Sequence, residues 1–195
     1  SATLRALGPA IGSHGWSQSI CNGPNLLANP SFEQPVVPNG SGANNIVASI
    51  PGWTNFSATS TSVNVVRPTG VAGLGPSSAH DGDQYIDLQG AGGILQQTFT
   101  ISQPVQLAFS GNFANRGSNL PNYQGGQIGI QILSQDLTNQ YAAATSTLTA
   151  ASGNNTWITL SGLTSVLQPG TYIYRFFART DFAHYDDFSL CVATN

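Results

Sequence analysis

The sequence predicts an all-β fold of two packed antiparallel sheets. Three observations predict it. Apolar residues recur with period two in segment after segment, the turns between them draw on 22 glycines and 11 prolines, and no stretch carries an amphipathic helical stripe of any length. Roughly nine to eleven short strands at this spacing fill a sandwich better than any other layer arrangement.

Along the chain, residues 1–20 stand apart. They carry Leu4, Leu7 and Ile11 among glycines and a proline, without a second copy elsewhere. The segment reads either as an extended N-terminal arm or as a flexible tail. Residues 21–195 form the sandwich domain. Val63 and Val65 alternate before Arg67-Pro68, and Tyr85, Ile86 and Leu88 follow the turn Asp81-Gly82-Asp83. Ile94, Gln96, Thr98 and Phe99 follow Gly92-Gly93. Val105, Leu107 and Phe109 share a face, as do Ile128, Ile130 and Ile132, and as do Tyr172, Tyr174 and Phe176. Trp157 with Ile158 and Leu160, and then Phe188 to Val192, complete the set. Asn139 to Thr149 is ambiguous at its alanine run, but its threonines favour a strand.

Composition narrows the function. At 195 residues the chain is long enough for one domain with a proper core. Only 7% of residues are charged, the net charge is -3, and lysine and methionine are absent. Such a surface has little long-range field, which argues against nucleic acid as a partner. No apolar run approaches a membrane span, which argues against insertion. Neutral polar matter such as a glycan, or copies of the chain itself, suits this surface. Without lysine, the edge strands also lose a usual guard against strand addition.

Cys21 and Cys191, an even pair without CxxC spacing, read as one disulfide of an oxidising compartment or as two unrelated buried thiols. If bridged, they close a loop worth roughly 4 to 5 kcal/mol in the chain-entropy model. The opening SATLRALGPAIG has no continuous apolar core, so the chain reads as a mature, secreted or cell-surface protein. The sequons at Asn39, Asn55 and Asn154 are of the kind that arise by chance in an Asn- and Ser-rich chain.

Leu26 opens LLANPSFEQPVV, followed by IPGWT at Ile50 to Thr54, then DGDQYIDLQGAGGILQQTFT from Asp81, and YDDFSL from Tyr185. This order resembles the DUF642 family and the bacterial choice-of-anchor C proteins, within the galactose-binding-like superfamily that also holds carbohydrate-binding modules. The resemblance runs from about Leu26 to Val192. It departs at Ser102-Gln103-Pro104-Val105 and in the Gly/Asn-rich stretch from Asn115 to Gly126. It implies a jelly roll, and in modules of this kind a carboxylate after the first strand and an Asp of the last share a structural calcium ion. Here those positions fall on Glu33 and the pair Asp186 and Asp187. A hard dication needs several oxygens, and two carboxylates brought together would repel without one. The alternative is that Glu33 caps a turn and the aspartates are solvated.

Asp81, Asp83 and Asp87 around His80 read first as a turn, with Asp87 facing away from Ile86 and Leu88. They do not match a calcium-loop spacing. Nothing singles out a raised-pKa carboxyl pair for glycoside hydrolysis. There is no G-x-S-x-G elbow, and His14, His80 and His184 lack metal spacing, so the reading is non-catalytic. Sugar binding needs flat aromatics to stack on pyranose faces, with amides and guanidinium for hydroxyls. The candidates are Tyr123, Trp157, Asn112, Arg116, Arg179 and His184, with Asn115 and Trp53 behind them; Trp53 reads as core. Arg175 and Arg179 lie on one side of a strand. The functional expectation is a glycan-binding extracellular module, for a neutral glycan or a cell-wall or matrix polysaccharide. The alternative is a fibre, sheath or coat subunit whose arm adds a strand to a neighbour.

Overall fold

The computed structural model describes residues 21–38, 45–56, 63–68, 75–88, 92–114, 126–148, 156–179 and 183–194. The N-terminal arm, His14, Asn115, Arg116 and Tyr123 lie outside the described residues, as do Asn39 and Asn154 of the sequons.

Twelve strands are described, with no helix among them: β1 (Cys21–Asn22), β2 (Ile46–Val47), β3 (Thr54–Asn55), β4 (Val63–Val66), β5 (Tyr85–Leu88), β6 (Gly93–Ile101), β7 (Leu107–Ala114), β8 (Gln127–Ser134), β9 (Gln140–Thr147), β10 (Ile158–Leu163), β11 (Gly170–Ala178) and β12 (Ala183–Ala193). They form two antiparallel sheets. The first runs β10-β7-β12-β5-β4-β2, with β1 against the end of β12, and the second runs β3-β6-β11-β8-β9. The alanine-rich segment is the strand β9, as its threonines predict.

Alternation divides each strand between core and outer face. On the second sheet Leu95, Phe99, Ile128, Ile130, Ile132, Tyr172, Tyr174 and Phe176 point inward and are at most 7% exposed. They meet Phe109, Phe113, Tyr185 and Phe188 from the first sheet in one apolar cluster. Its middle is aromatic: Phe176 stacks on Phe188 at 4.3 Å between ring centroids, and Trp53 stands edge-on to Phe176 at 5.2 Å. Trp53 is core, as expected, and its indole N–H donates to the Asn29 carbonyl at 3.1 Å. Phe188 has room only because its neighbour is Gly111, where a Cβ would come within 2.2 Å of the ring. A ring of this size contributes about 2 to 3 kcal/mol by leaving water.

The first and last described strands are joined. Cys21 and Cys191 form a disulfide with their Cα atoms 5.5 Å apart. The Asn25 side chain spans the same seam, donating to the Phe188 carbonyl at 2.8 Å and accepting from the Leu190 N–H at 3.1 Å.

Candidate functional site

Two places gather polar side chains, one on each sheet. At the end of the first sheet lies the turn His80–Gln84, where most of the acidic residues converge. Glu33 grips one side of it: its Oε1 accepts the N–H groups of Asp83 at 3.0 Å and Gln84 at 2.9 Å. Asp186, fully buried on β12, grips the other. Its Oδ2 accepts the N–H groups of His80 at 2.6 Å and Asp81 at 3.0 Å, and its Oδ1 that of Asp187 at 2.8 Å. Gly82 at the tip has φ of +70° and leaves room for the Glu33 carboxylate, which a Cβ would meet at 2.5 Å.

Asp187 sits in a β-bulge, where β12 shifts register against β7, with φ of 49°. The bulge aims its carboxylate at His80 Nδ1, 2.9 Å away, and Asn112 donates to the same Oδ2 at 3.3 Å. Asn112 in turn accepts the Thr159 hydroxyl at 2.6 Å. Trp157 donates its indole N–H to the Ser78 carbonyl at 3.1 Å and stands edge-on to Tyr85 at 5.4 Å. Beneath it, His184 stacks on Tyr85 at 5.2 Å.

Glu33 and Asp186 thus do meet at one loop, but what each faces there is peptide N–H. No group of three His, Cys, Asp or Glu side chains among the described residues is placed to hold a metal ion. An N–H cannot ligate a cation, so calcium here would have to displace these donors. Thermal denaturation in calcium and in chelator tests for the ion, with an equal melting temperature in both as the result that removes it. A rise in calcium that Glu33→Gln and Asp186→Asn both abolish would put the ion back.

Asn112 and His184 come together as supports of this turn, while Trp157 beside them is only half-buried. Asn112 is 3% and His184 1% exposed. A sugar cannot reach side chains buried to that degree. Arg179 is different: it is exposed, with its guanidinium 5.8 Å from the centre of the Phe177 ring.

That places it on the second polar surface, the outer face of the five-stranded sheet. Register aligns Arg175 of β11 opposite Gln96 of β6 and, on its other side, Gln131 of β8. The row is bonded together. Arg175 Nε and Nη2 both donate to Gln96 Oε1, at 3.0 and 2.7 Å, and Gln131 Nε2 donates to Gln140 Oε1 of β9 at 2.8 Å. Partial burial lowers the pKa of the Arg175 guanidinium from its ordinary value. Thr98 and Thr100 stand exposed on one side of the row. On the other, Phe177 lies across Gly129, where a Cβ would come within 2.6 Å of its ring. Phe56 stands at the sheet's edge, 51% exposed, beside β3, whose Thr54 pairs with Gln96. Gln96, Gln131, Gln140 and Phe56 were not among the sequence candidates. The signal was there: each strand that turns Ile or Leu inward must turn the alternate residues outward.

No protein family profile matches this sequence. No curated protein matches it either. Solved structures do. A family 61 carbohydrate-binding module in complex with β-1,4-galactotriose superposes with a TM-score of 0.57 at 16% identity, over 87% of this chain and 99% of that one. A CBM4 module gives 0.51 at 19% identity, over 85% and 99%. An arabinose-bound α-L-arabinofuranosidase gives 0.54 at 12% identity, over 86% of this chain but 26% of that enzyme. The chain has the β-sandwich fold of carbohydrate-binding modules. The resemblance to DUF642 has no matching profile behind it. No helix among the described residues is long and apolar enough to cross a membrane.

Proposed function

We propose that this chain is a non-catalytic extracellular glycan-binding module, and that its binding surface is the outer face of the five-stranded sheet. The observation that carries the reading is the row of Arg175 and Gln131, opposite each other in register, with Gln140 bonded to Gln131 and the buried Gln96 holding Arg175 in place. It lays amide and guanidinium groups across four adjacent strands. Neighbouring strands are about 4.8 Å apart, close to the length of a hexose, so such a row can pair hydroxyls along successive sugar residues. Phe56 supplies an exposed ring for a pyranose face. Similarity of fold to sugar-binding modules supports the reading, and the Cys21–Cys191 disulfide suits an oxidising compartment.

The test is titration calorimetry against a panel of soluble polysaccharides, guided by a glycan array. Gln131→Ala and Phe56→Ala should each weaken binding about tenfold or more, close to 1.4 kcal/mol, with the melting temperature unchanged. Trp157→Ala should leave affinity alone. A blank array at high protein concentration would overturn the reading, and loss of binding in Trp157→Ala alone would move the site to the His80–Gln84 turn.

A further inference from the structure

Charge is divided between the two sheets. Glu33, Asp81, Asp83, Asp87, Asp186 and Asp187 belong to the seven-stranded sheet and its His80–Gln84 turn. Asp136 closes the β8–β9 hairpin, where its Oδ1 accepts from Ser134 and Thr138 and holds its pKa below the ordinary value. Asp181 is outside the described residues. The outer face of the five-stranded sheet carries Arg175 and, four residues on, Arg179, with no carboxylate against either among the described residues. Arg67, by contrast, is paired with Asp83.

Arg175 is half-buried and its partner is an amide, not an acid. Gln96 Oε1 occupies the Nε and Nη2 side of the guanidinium. The end-on pair of N–H groups, one on Nη1 and one on Nη2, has no partner among the described residues. A partly desolvated cation without a counter-charge costs the fold free energy that a bound anion offsets. The planar fork matches a carboxylate in two parallel hydrogen bonds. Gln96 holds that fork in place, so little side-chain entropy is lost when a ligand arrives.

We propose that the ligand of this face is an acidic glycan, a uronate-bearing polysaccharide whose carboxylate seats on the end-on fork of Arg175 while Gln131 and Gln140 read neighbouring hydroxyls. This rests on the placement of the glycan site proposed above, and replaces the neutral glycan that the low overall charge suggests with a charged one. Net charge describes the whole surface. A ligand meets one face.

The experiment uses one polysaccharide in two forms: polygalacturonate, and the same polymer with its carboxyl groups reduced to hydroxymethyl. Dextran sulfate is a third arm, and the protein is the full chain in calorimetry at low and high salt. Tighter binding of polygalacturonate than of the reduced polymer by tenfold or more, shrinking with salt, is the expected result. Arg175→Gln should cut the preference to within about twofold, and Arg175→Lys should restore only part of it, since a point charge lacks the fork. Equal or tighter binding of the reduced polymer would overturn the acidic-glycan inference and leave the glycan site standing. Dextran sulfate binding as tightly as polygalacturonate would replace carboxylate recognition by simple charge attraction. Binding of none of the three, with a blank array, would remove both the inference and the site beneath it.

Discussion

Replacing both Cys21 and Cys191 with serine is expected to lower the melting temperature by roughly 10 to 20 °C. The bridge closes a sequence separation of 170 residues, which in the chain-entropy model removes about 5 kcal/mol of freedom from the unfolded chain. For a domain of this size each kcal/mol is worth about 2 to 4 °C. The native seam does not depend on the bridge alone: Cys21 pairs with Ala193 in the sheet, Leu26 donates to the Leu190 carbonyl, and Asn25 spans both strands. The double variant should therefore keep a native circular dichroism spectrum at low temperature while melting early. A melting temperature within about 3 °C of the parent would mean that unfolded chains already hold their ends together, and the entropic account would fail.

The fold was legible because strands report themselves through alternation, which can be read from a single sequence. Ile128, Ile130 and Ile132 had to face one way, and the core confirms it. The site was harder, for a physical reason visible in Gln131. A glutamine between two isoleucines looks like the solvated side of a strand, and only register shows that Arg175 and Gln96 lie beside it. Register depends on turns and pairings far apart in the chain. The residues chosen from sequence fared according to how local their signal was. Glu33 and Asp186 met at one loop, as the motif resemblance implies, but their partners were backbone N–H groups that no residue letter reveals. Polar residues such as Asn112 and His184 usually lie at the surface. Their strands, β7 and β12, cross the middle of a sheet, where burial is decided by what lies over it.

Asp186 makes the sharpest pH prediction. Burial pushes its carboxyl up to about 8, while the three N–H bonds from Asp81, His80 and Asp187 pull it back toward the charged form, and the nearby Asp187 adds a smaller upward push. With the folded value raised above the unfolded one near 3.8, the unfolded chain releases its proton first as pH rises. Stability from Asp186 is then fully present below about pH 4, declines between about pH 4 and pH 8 by up to about 1.4 kcal/mol per unit, and levels off beyond. Asp186→Ala removes the titration and also strands up to three N–H groups, at about 1 to 3 kcal/mol for each left without water. The variant should melt roughly 6 to 12 °C below the parent at pH 5. That gap should narrow as pH rises to 8 while the variant's own curve stays comparatively flat. The measurement is a series of thermal melts of both proteins from pH 4 to pH 9. A gap that widens with rising pH would mean that the N–H bonds outweigh burial and that Asp186 is a carboxylate throughout, holding the His80–Gln84 turn by charge rather than despite it.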